Sequence, residues 1–301
     1  MSEQTKPQAH VEAILDGPRV LTLYPTTSCA VECAPCYLKS LDYGQEKPLR
    51  FFEELIGEAA RTEHIRRIHL SVNVDPPGGD TNRRALQVLS RAAHAAGLTI
   101  SATTNYENVH DWGAREFALC QHVALSVDEY KFPRLRLPGD FFEQVTRLQA
   151  EGPVVSLNLL LSHRLLAHLT LPRLRRWLGL ADQVSLLIPK HYTLDFSRQE
   201  LLDLFERLAP LWEEPDRFFH LQVDSCIKPQ VFPWNQLYPS CEWADEQINI
   251  LPDGQACFCA MDKAFATLQN SRELPDVVQA AYVEQHQEGR SICPFIEFAD
   301  R

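Results

Sequence analysis

The chain has 301 residues, and its 29 basic and 40 acidic side chains give a formal net charge of −11. This length is enough for a large core in one or two domains. The acidic balance argues against nucleic-acid binding, which needs Lys and Arg to neutralise phosphates, and it is compatible with a cationic substrate. Nine residues are Cys, too few for a disulfide-stapled mini-protein, in which Cys exceeds about 8–10%.

Neither a membrane span nor a signal peptide is expected. No apolar run approaches the ~18–20 residues that cross a bilayer, and the N-terminus has no basic segment leading into an apolar stretch. We therefore expect a cytoplasmic protein without a membrane partner. In that reducing compartment, cysteines are more often metal ligands or catalytic groups than disulfides, and an odd number of them cannot all pair.

Short β-rich runs alternate with amphipathic stretches up to about residue 190. The strands are predicted at 20–24, 68–73, 98–103, 122–127, 153–160 and 183–188, and the helices at 50–62, 82–97, 111–120, 139–151 and 164–178. This alternation predicts parallel βαβ units with right-handed crossovers, hence an α/β fold. The Val, Ile and Leu content predicts a sheet covered on both faces. Functional residues are expected just beyond the C-terminal ends of the strands.

The pattern changes in the last third of the chain. A helix is predicted at 197–213, a short strand at 218–224, and a second helix at about 274–287. Between them, two apolar runs flank Pro252-Asp253-Gly254 and predict a hairpin, because Gly supplies a positive φ at low cost.

Three cysteines follow the first predicted strand. Cys29, Cys33 and Cys36 have the spacing Cys-x3-Cys-x2-Cys. Three thiolates leave a four-ligand site one short, which in an iron–sulfur cluster keeps one iron open to a substrate or cofactor. A structural zinc site needs four ligands. A zinc site completed by a distant residue and plain buried cysteines are the alternatives.

This motif resembles that of the radical SAM superfamily, whose members carry it after the first strand of a partial (β/α)6 TIM-like barrel. The resemblance implies a [4Fe-4S] cluster whose open iron binds S-adenosylmethionine, and cleavage of that cofactor to a 5′-deoxyadenosyl radical. It also implies an electron donor such as flavodoxin or ferredoxin. Pro35 departs from the aromatic residue usual before the third Cys, whereas Tyr37 resembles the frequent Cys-Tyr ending.

Residues at three further strand ends resemble cofactor contacts of the family. Gly78-Gly79-Asp80 is similar to Gly-Gly-Glu, Asn105 to the Asn of Thr-Asn-Gly, and Ser126-Val127-Asp128 to Ser-x-Asp, which reaches the ribose hydroxyls. The resemblance therefore implies these cofactor-binding candidates: Tyr37, Gly78, Gly79, Asp80, Asn105, Ser126 and Asp128. A lone Ser or Asp at a strand end is otherwise usually a turn residue or a helix cap.

Five more cysteines lie in the last third of the chain. Cys241-x12-Gly254-x4-Cys259 is similar to the hairpin of the SPASM and twitch extensions of radical SAM enzymes, which hold auxiliary iron–sulfur clusters. The longer Cys-rich run of full SPASM extensions is missing, so the resemblance implies one auxiliary [4Fe-4S] cluster. The predicted domains are then a radical SAM core over 1–195 and a small α+β twitch/SPASM-like extension over 196–301. The chosen cluster ligands are Cys226, Cys241, Cys259 and Cys293.

Two cysteines remain. Cys257 is predicted to share a strand face with Cys259. It either replaces Cys259 as a ligand or stays outside the cluster, where it is the candidate catalytic hydrogen donor of an epimerisation. Four thiolates also satisfy zinc, so a structural zinc site is the alternative for this cysteine group. Cys120 is predicted to be a small buried hydrophobic residue.

Relatives with auxiliary clusters act on peptides or on small natural products such as aminosugars. The first predicted strand begins at residue 20, so no N-terminal leader-binding domain is expected, and the charge of −11 favours a small polar or cationic metabolite. The expected reaction is oxidation, dehydrogenation or epimerisation of an aminosugar-like intermediate. A radical SAM peptide maturase is the alternative, and a non-enzymatic Fe–S or zinc-binding scaffold protein is the alternative of another class.

Overall fold

The computed structural model describes residues 19–31, 33, 36, 38, 43–189, 193–212, 214, 220–224, 226–227, 247–259 and 264–285. In this part of the chain, no helix combines the length and apolar character that a membrane span needs.

The described strands form one sheet in the order β10-β9-β8-β1-β2-β3-β4-β5-β6-β7. Their bounds are β1 Val20–Leu23, β2 Arg67–Ser71, β3 Thr99–Thr104, β4 His122–Val127, β5 Val154–Leu160, β6 Gln183–Leu187, β7 Leu221–Val223, β8 Gln247–Ile250, β9 Gln255–Cys257 and β10 Ala266–Thr267. Strands β1 to β7 are parallel and neighbour each other in chain order. This is the topology of a partial TIM-like barrel, so the predicted fold class is confirmed.

Helices connect these strands. Their bounds are α1 Leu49–Arg61, α2 Thr81–Ala95, α3 Tyr106–Trp112, α4 Phe141–Ala150, α5 His163–His168, α6 Leu171–Leu178, α7 Arg198–Trp212 and α8 Leu274–Gln285. Two predictions are wrong in detail. The helix predicted at 111–120 is not continuous: α3 ends at Trp112, Gly113 follows as its C-cap with φ +86°, and a 3-10 turn spans Ala114–Phe117. The helix predicted at 164–178 is two helices, because Pro172 begins a new first turn.

The two faces of the sheet differ sharply. One face is apolar and packs with the helices in a single core, as in the cross-strand row Leu23, Leu70, Ala102, Val123 and Val155. The other face carries mostly small polar side chains, in the rows Thr22-His69-Ser101-His122, Ser71-Thr103-Ala124-Ser156 and Ser126-Asn158-Ser185. The strand composition predicts a sheet covered on both faces, and the structure adds that only one of these faces is apolar. In a partial barrel the second face lines the interior.

The last third of the chain extends the same sheet at both edges. Strand β7 pairs with β6, and β8 pairs with β1, both in parallel. The predicted hairpin is present as β8 and β9, which pair in antiparallel fashion around Asp253 and Gly254. The domain boundary after residue 195 stays a prediction.

Gly254 offers a test of the hairpin. Its φ is +90°, and a Cβ there would lie 2.7 Å from the Leu268 carbonyl oxygen. Gly254→Ala is expected to lower the free energy of unfolding by about 1–3 kcal/mol, because a side chain is strained in this conformation. Urea denaturation measures the change.

The matched control is Gly57→Ala. Gly57 lies within α1 with open space around its Cβ position, so the substitution should stabilise the protein by about 0.5–1 kcal/mol. Equal stability of Gly254→Ala and the unmodified protein would contradict the described turn.

Candidate cluster and cofactor site

The three-cysteine loop leaves the C-terminal end of β1. Cys29, Cys33 and Cys36 are unpaired thiols, each partly exposed, and the Cys36 N–H donates to the Cys33 carbonyl at 3.1 Å. Burial raises the pKa of Cys33 to about 11; nearby Lys131 opposes this, while Asp128 and the other two thiols add to it. The three thiols therefore lie close enough to influence one another, and cluster binding would have to displace their protons.

The donor set fits an open cluster. Among the described residues, no three His, Cys, Asp or Glu side chains converge on a single metal ion. The three cysteine ligands of an open [4Fe-4S] cluster bind three different irons of one cluster, so their sulfurs lie farther apart than the ligands of a single ion. A mononuclear zinc site would require such convergence and a fourth ligand.

Hydrogen bonds anchor the first half of the loop. The Glu46 carboxylate accepts from the Thr27 N–H at 2.7 Å, from the Thr26 hydroxyl at 3.1 Å and from the Thr27 hydroxyl. The Ala30 N–H donates to the Val74 carbonyl at 2.9 Å, and the Asn82 side-chain amide donates to the Ser28 carbonyl at 3.0 Å. The loop is thus attached to the segment that follows β2.

That segment is 73–75, which the sequence did not indicate. Asn73 donates to the Thr26 carbonyl at 3.2 Å, and Asp75 accepts from the first-turn N–H groups of Asn82 and Arg83 at 2.7 and 3.1 Å. Asp75 therefore caps α2, while Asp80, at the N-cap position, makes no capping bond. The predicted Gly78-Gly79-Asp80 motif lies in an exposed turn. Polar residues directly after a strand are the signal that could have identified Asn73 and Asp75.

Asn105 lies at the end of β3 with an unused acceptor. It occupies the N-cap position of α3, but its side chain makes no capping bond. Its Oδ1 is buried and has no hydrogen-bond partner in the described part of the chain, although a buried acceptor without a partner costs about 1–3 kcal/mol. The capping alternative for Asn105 is therefore excluded, and its Oδ1 can accept from a ligand.

Asp128, which follows β4, already has hydrogen-bond and ion-pair partners in the protein. Asp128 accepts from the backbone N–H groups of Tyr130 and Lys131 at 3.1 and 2.9 Å. Its other oxygen lies 3.1 Å from Lys131 Nζ, and both side chains are at most 9% exposed. This buried pair influences the pKa of Cys33, so it lies beside the cluster loop. Ser126 is partly exposed on the polar face of β4.

The later cysteines have different surroundings. Cys257 ends β9, is 1% exposed and packs beside Cys36 and Tyr43, whereas Cys259 lies beyond the strand and is partly exposed. The two therefore do not share a strand face. Cys226 follows β7, at the opposite edge of the sheet order from β9. Cys120 is 3% exposed in the hydrophobic core, which confirms that prediction. Tyr37, Cys241 and Cys293 lie outside the described residues.

The chain is similar to known proteins in structure but not in sequence. No family model matches the chain, and no curated protein matches it in sequence. Streptococcus suis SuiB bound to S-adenosylmethionine matches with a TM-score of 0.64 and 15% identity, over 91% of this chain and 68% of SuiB. SuiB bound to its precursor peptide SuiA matches with a TM-score of 0.62 and 14% identity, over 91% and 67%. Native anSMEcpe with bound AdoMet matches with a TM-score of 0.58 and 12% identity, over 89% and 80%.

The described strands form a partial TIM-like barrel with three thiols in the loop after its first strand. SuiB and anSMEcpe, the solved structures matched above, are radical SAM enzymes, and at 12–15% identity these matches show the fold alone. The chain therefore has the radical SAM fold, and the resemblance seen in the cysteine motif is confirmed at the level of structure.

His69 offers a test of the polar interior. Its ring nitrogens lie 2.9 Å from the Ser101 hydroxyl and 3.1 Å from the Thr103 hydroxyl. Burial lowers the pKa of His69 to about 4, and electrostatic interaction with His122 and Arg67 acts in the same direction. Between pH 6.5 and 4 the unfolded chain binds a proton that the folded one excludes. The free energy of unfolding is therefore expected to decrease by about 3 kcal/mol as the pH falls from 6.5 to 4.

The measurement is urea denaturation from pH 7.5 to 4. His69→Gln should remove this part of the pH dependence, because glutamine does not titrate. His64→Gln is the control, since His64 is exposed. An unchanged acid dependence in His69→Gln would contradict the buried neutral state of this imidazole.

Proposed function

We propose that this chain is a radical SAM enzyme that holds an open [4Fe-4S] cluster on Cys29, Cys33 and Cys36. With S-adenosylmethionine bound, the cluster would supply hydrogen-atom abstraction from substrate through a 5′-deoxyadenosyl radical. The observation that carries the proposal is the loop after β1, which gathers three unpaired thiols at the carboxyl edge of a partial barrel. The match to SuiB bound to S-adenosylmethionine supports it.

The chain's own residues would bind and orient the cluster and the cofactor. Glu46, Asn73 and Asn82 hold the first half of the cluster loop by hydrogen bonds, so the backbone that leads into Cys29 is fixed before any ligand arrives. We assign the buried Asn105 Oδ1 as a hydrogen-bond acceptor for the cofactor, because it has no partner among the described residues. Ser126, and the backbone around Gly78, Gly79 and Asp80, remain proposed contacts, as does Asp128 if its pair with Lys131 opens.

The substrate is proposed to be a small polar metabolite, such as an aminosugar-like natural-product intermediate, which is oxidised or epimerised. The polar face of the sheet supports this choice. Ser71, Thr103 and Asn158 are partly exposed there, and the Ser156 hydroxyl is buried without a partner. Hydroxyl and amide groups at this face suit a ligand with its own hydroxyl and amine groups.

A peptide substrate is the second candidate. SuiB was solved with a precursor peptide, and anSMEcpe with a Cp18Cys peptide. Parallel screens of metabolites and peptides for turnover distinguish the two substrate classes, and deuterium taken up from D2O into the product identifies an epimerisation. If Cys257 is the hydrogen donor, its S–H bond breaks as the product C–H bond forms. One electron from the electron donor, a flavodoxin or ferredoxin in a cytoplasmic setting, then reduces the thiyl radical to a thiolate, which takes a proton from solvent.

The first test is the Cys29/Cys33/Cys36 triple Ala variant. After anaerobic reconstitution, the unmodified protein should hold roughly eight irons, as expected for two [4Fe-4S] clusters, and the variant roughly four. The variant should also form no 5′-deoxyadenosine from S-adenosylmethionine, because its open cluster is missing. Iron analysis and chromatography measure both.

Cys120→Ala is the matched control, because it removes a buried core thiol and should lose neither iron nor cleavage. Continued 5′-deoxyadenosine formation by the triple variant would refute the enzyme proposal. Stoichiometric zinc in place of iron would favour the scaffold alternative.

The second test addresses the auxiliary cluster, proposed on Cys226, Cys241, Cys259 and Cys293 in a 196–301 extension. Cys257 is buried beside Cys36 and Cys259 is partly exposed. Cys257→Ala should therefore keep roughly eight irons, whereas Cys259→Ala should lose about four, since each [4Fe-4S] cluster needs its thiolates. The reverse result would make Cys257 the ligand and remove it as a hydrogen donor.

A further inference from the structure

The side chain of Tyr43 lies near Cys36 of the cluster loop, which influences the pKa of its hydroxyl. Tyr43 and Cys36 each pack against the same small apolar group, which is separate from the main core and consists of Tyr24, Leu38, Leu251 and Cys257. The Tyr43 Oη atom is buried and has no hydrogen-bond partner among the residues that the structure describes. A buried hydroxyl without a partner costs about 1–3 kcal/mol, so its position calls for an acceptor that appears only in the loaded protein.

Four groups lie close enough to influence this hydroxyl: Tyr24, Cys36, Cys257 and Asp253. The Asp253 carboxylate already accepts from the Gly44 N–H and from the backbone and side chain of Gln255. The Cys257 thiol donates to the Asn249 carbonyl at 3.9 Å, and Tyr24 has interactions of its own. Cys36 is therefore the remaining candidate acceptor for the Tyr43 hydroxyl, and it becomes a strong acceptor when it binds iron as a thiolate.

The backbone holds Tyr43 in this place. The adjacent Gly44 N–H donates to Asp253 at 2.9 Å, and the Lys47 N–H donates to the Pro252 carbonyl at 2.7 Å. Both acceptors belong to the turn between β8 and β9. The hairpin therefore fixes the segment that carries Tyr43 relative to Cys36.

We propose that Tyr43 donates a hydrogen bond from its hydroxyl to Cys36 Sγ when Cys36 binds the open cluster, and that this bond raises the cluster's reduction potential. The proposal rests on the proposed function. Hydrogen bonds to ligating sulfur are among the factors that set cluster potentials. The reduced cluster carries one more negative charge, so the bond stabilises the reduced form more than the oxidised form. Tyr43 is a positioning residue in this proposal, acting through Cys36.

The test is Tyr43→Phe in the full, reconstituted chain. Redox titration followed by EPR gives the reduced fraction at each potential, and the spectral change caused by S-adenosylmethionine identifies the open cluster. The reduced-to-oxidised ratio at a fixed potential should fall about three- to tenfold, which is at most about 59 mV for a one-electron couple. Tyr24→Phe, from the same apolar group, is the control and should leave the ratio unchanged.

A double-variant cycle identifies the acceptor. If Tyr43 donates to Cys36, the Tyr43→Phe shift persists in a Cys257→Ala background; disappearance of the shift there would assign the bond to Cys257 and overturn the proposal. An unchanged potential in a loaded Tyr43→Phe protein would also overturn it.

A third measurement needs no variant. The reduced open cluster of the unmodified protein should have a strongly coupled exchangeable proton in ENDOR spectra that is lost in D2O, and its absence would overturn the proposal. If the unmodified protein takes up no iron, the proposed function fails and this inference fails with it. Cluster uptake without the coupled proton or the potential shift contradicts the hydrogen bond alone.

Discussion

The position of β1 between β2 and β8 is the constraint on which the site depends. Both neighbours are parallel to β1, so all three strands end at one edge of the sheet. The three-cysteine loop begins there. On one side, segment 73–75 and the start of α2 hold it by hydrogen bonds. On the other, the β8–β9 hairpin brings Cys257 beside Cys36 and fixes the segment that carries Tyr43.

Two titratable features of the described site limit the charge that it presents to the interior. Asp128 and Lys131 form a buried pair beside Cys33, and His69 is held neutral among hydroxyl groups. The interior therefore presents dipoles, which suits a polar ligand and a cofactor that brings its own charge. The net charge of −11 says little about this face, because exposed acidic side chains such as Glu53, Glu63 and Asp203 contribute to it without lying there.

Sequence patterns predicted the strands of the barrel, the hairpin and the buried Cys120 closely. The errors share one cause, because a local sequence pattern does not show which distant residues a side chain contacts in the fold. The apolar spacing over 111–120 predicted one helix because it carries no information about the positive φ of Gly113. The apolar residues of the strands dominated their composition, although small polar residues occupy the alternate positions. The loop contacts of Asn73, and the orphaned hydroxyl of Tyr43, depend on partners far away in the chain. No periodicity within one element could reveal them.

By itself, the sequence determined the three-cysteine spacing, the strand that precedes it and the α/β alternation, because these depend on residues near one another in the chain. Only the tertiary structure decided that Asn73 and Val74, in segment 73–75, hold the cluster loop by hydrogen bonds. It also decided that Cys257 lies beside Cys36, 221 residues away in numbering (257 − 36). The physical reason is that β8 adds to the sheet beside β1, and strand pairing across such a separation is fixed by packing of the whole sheet.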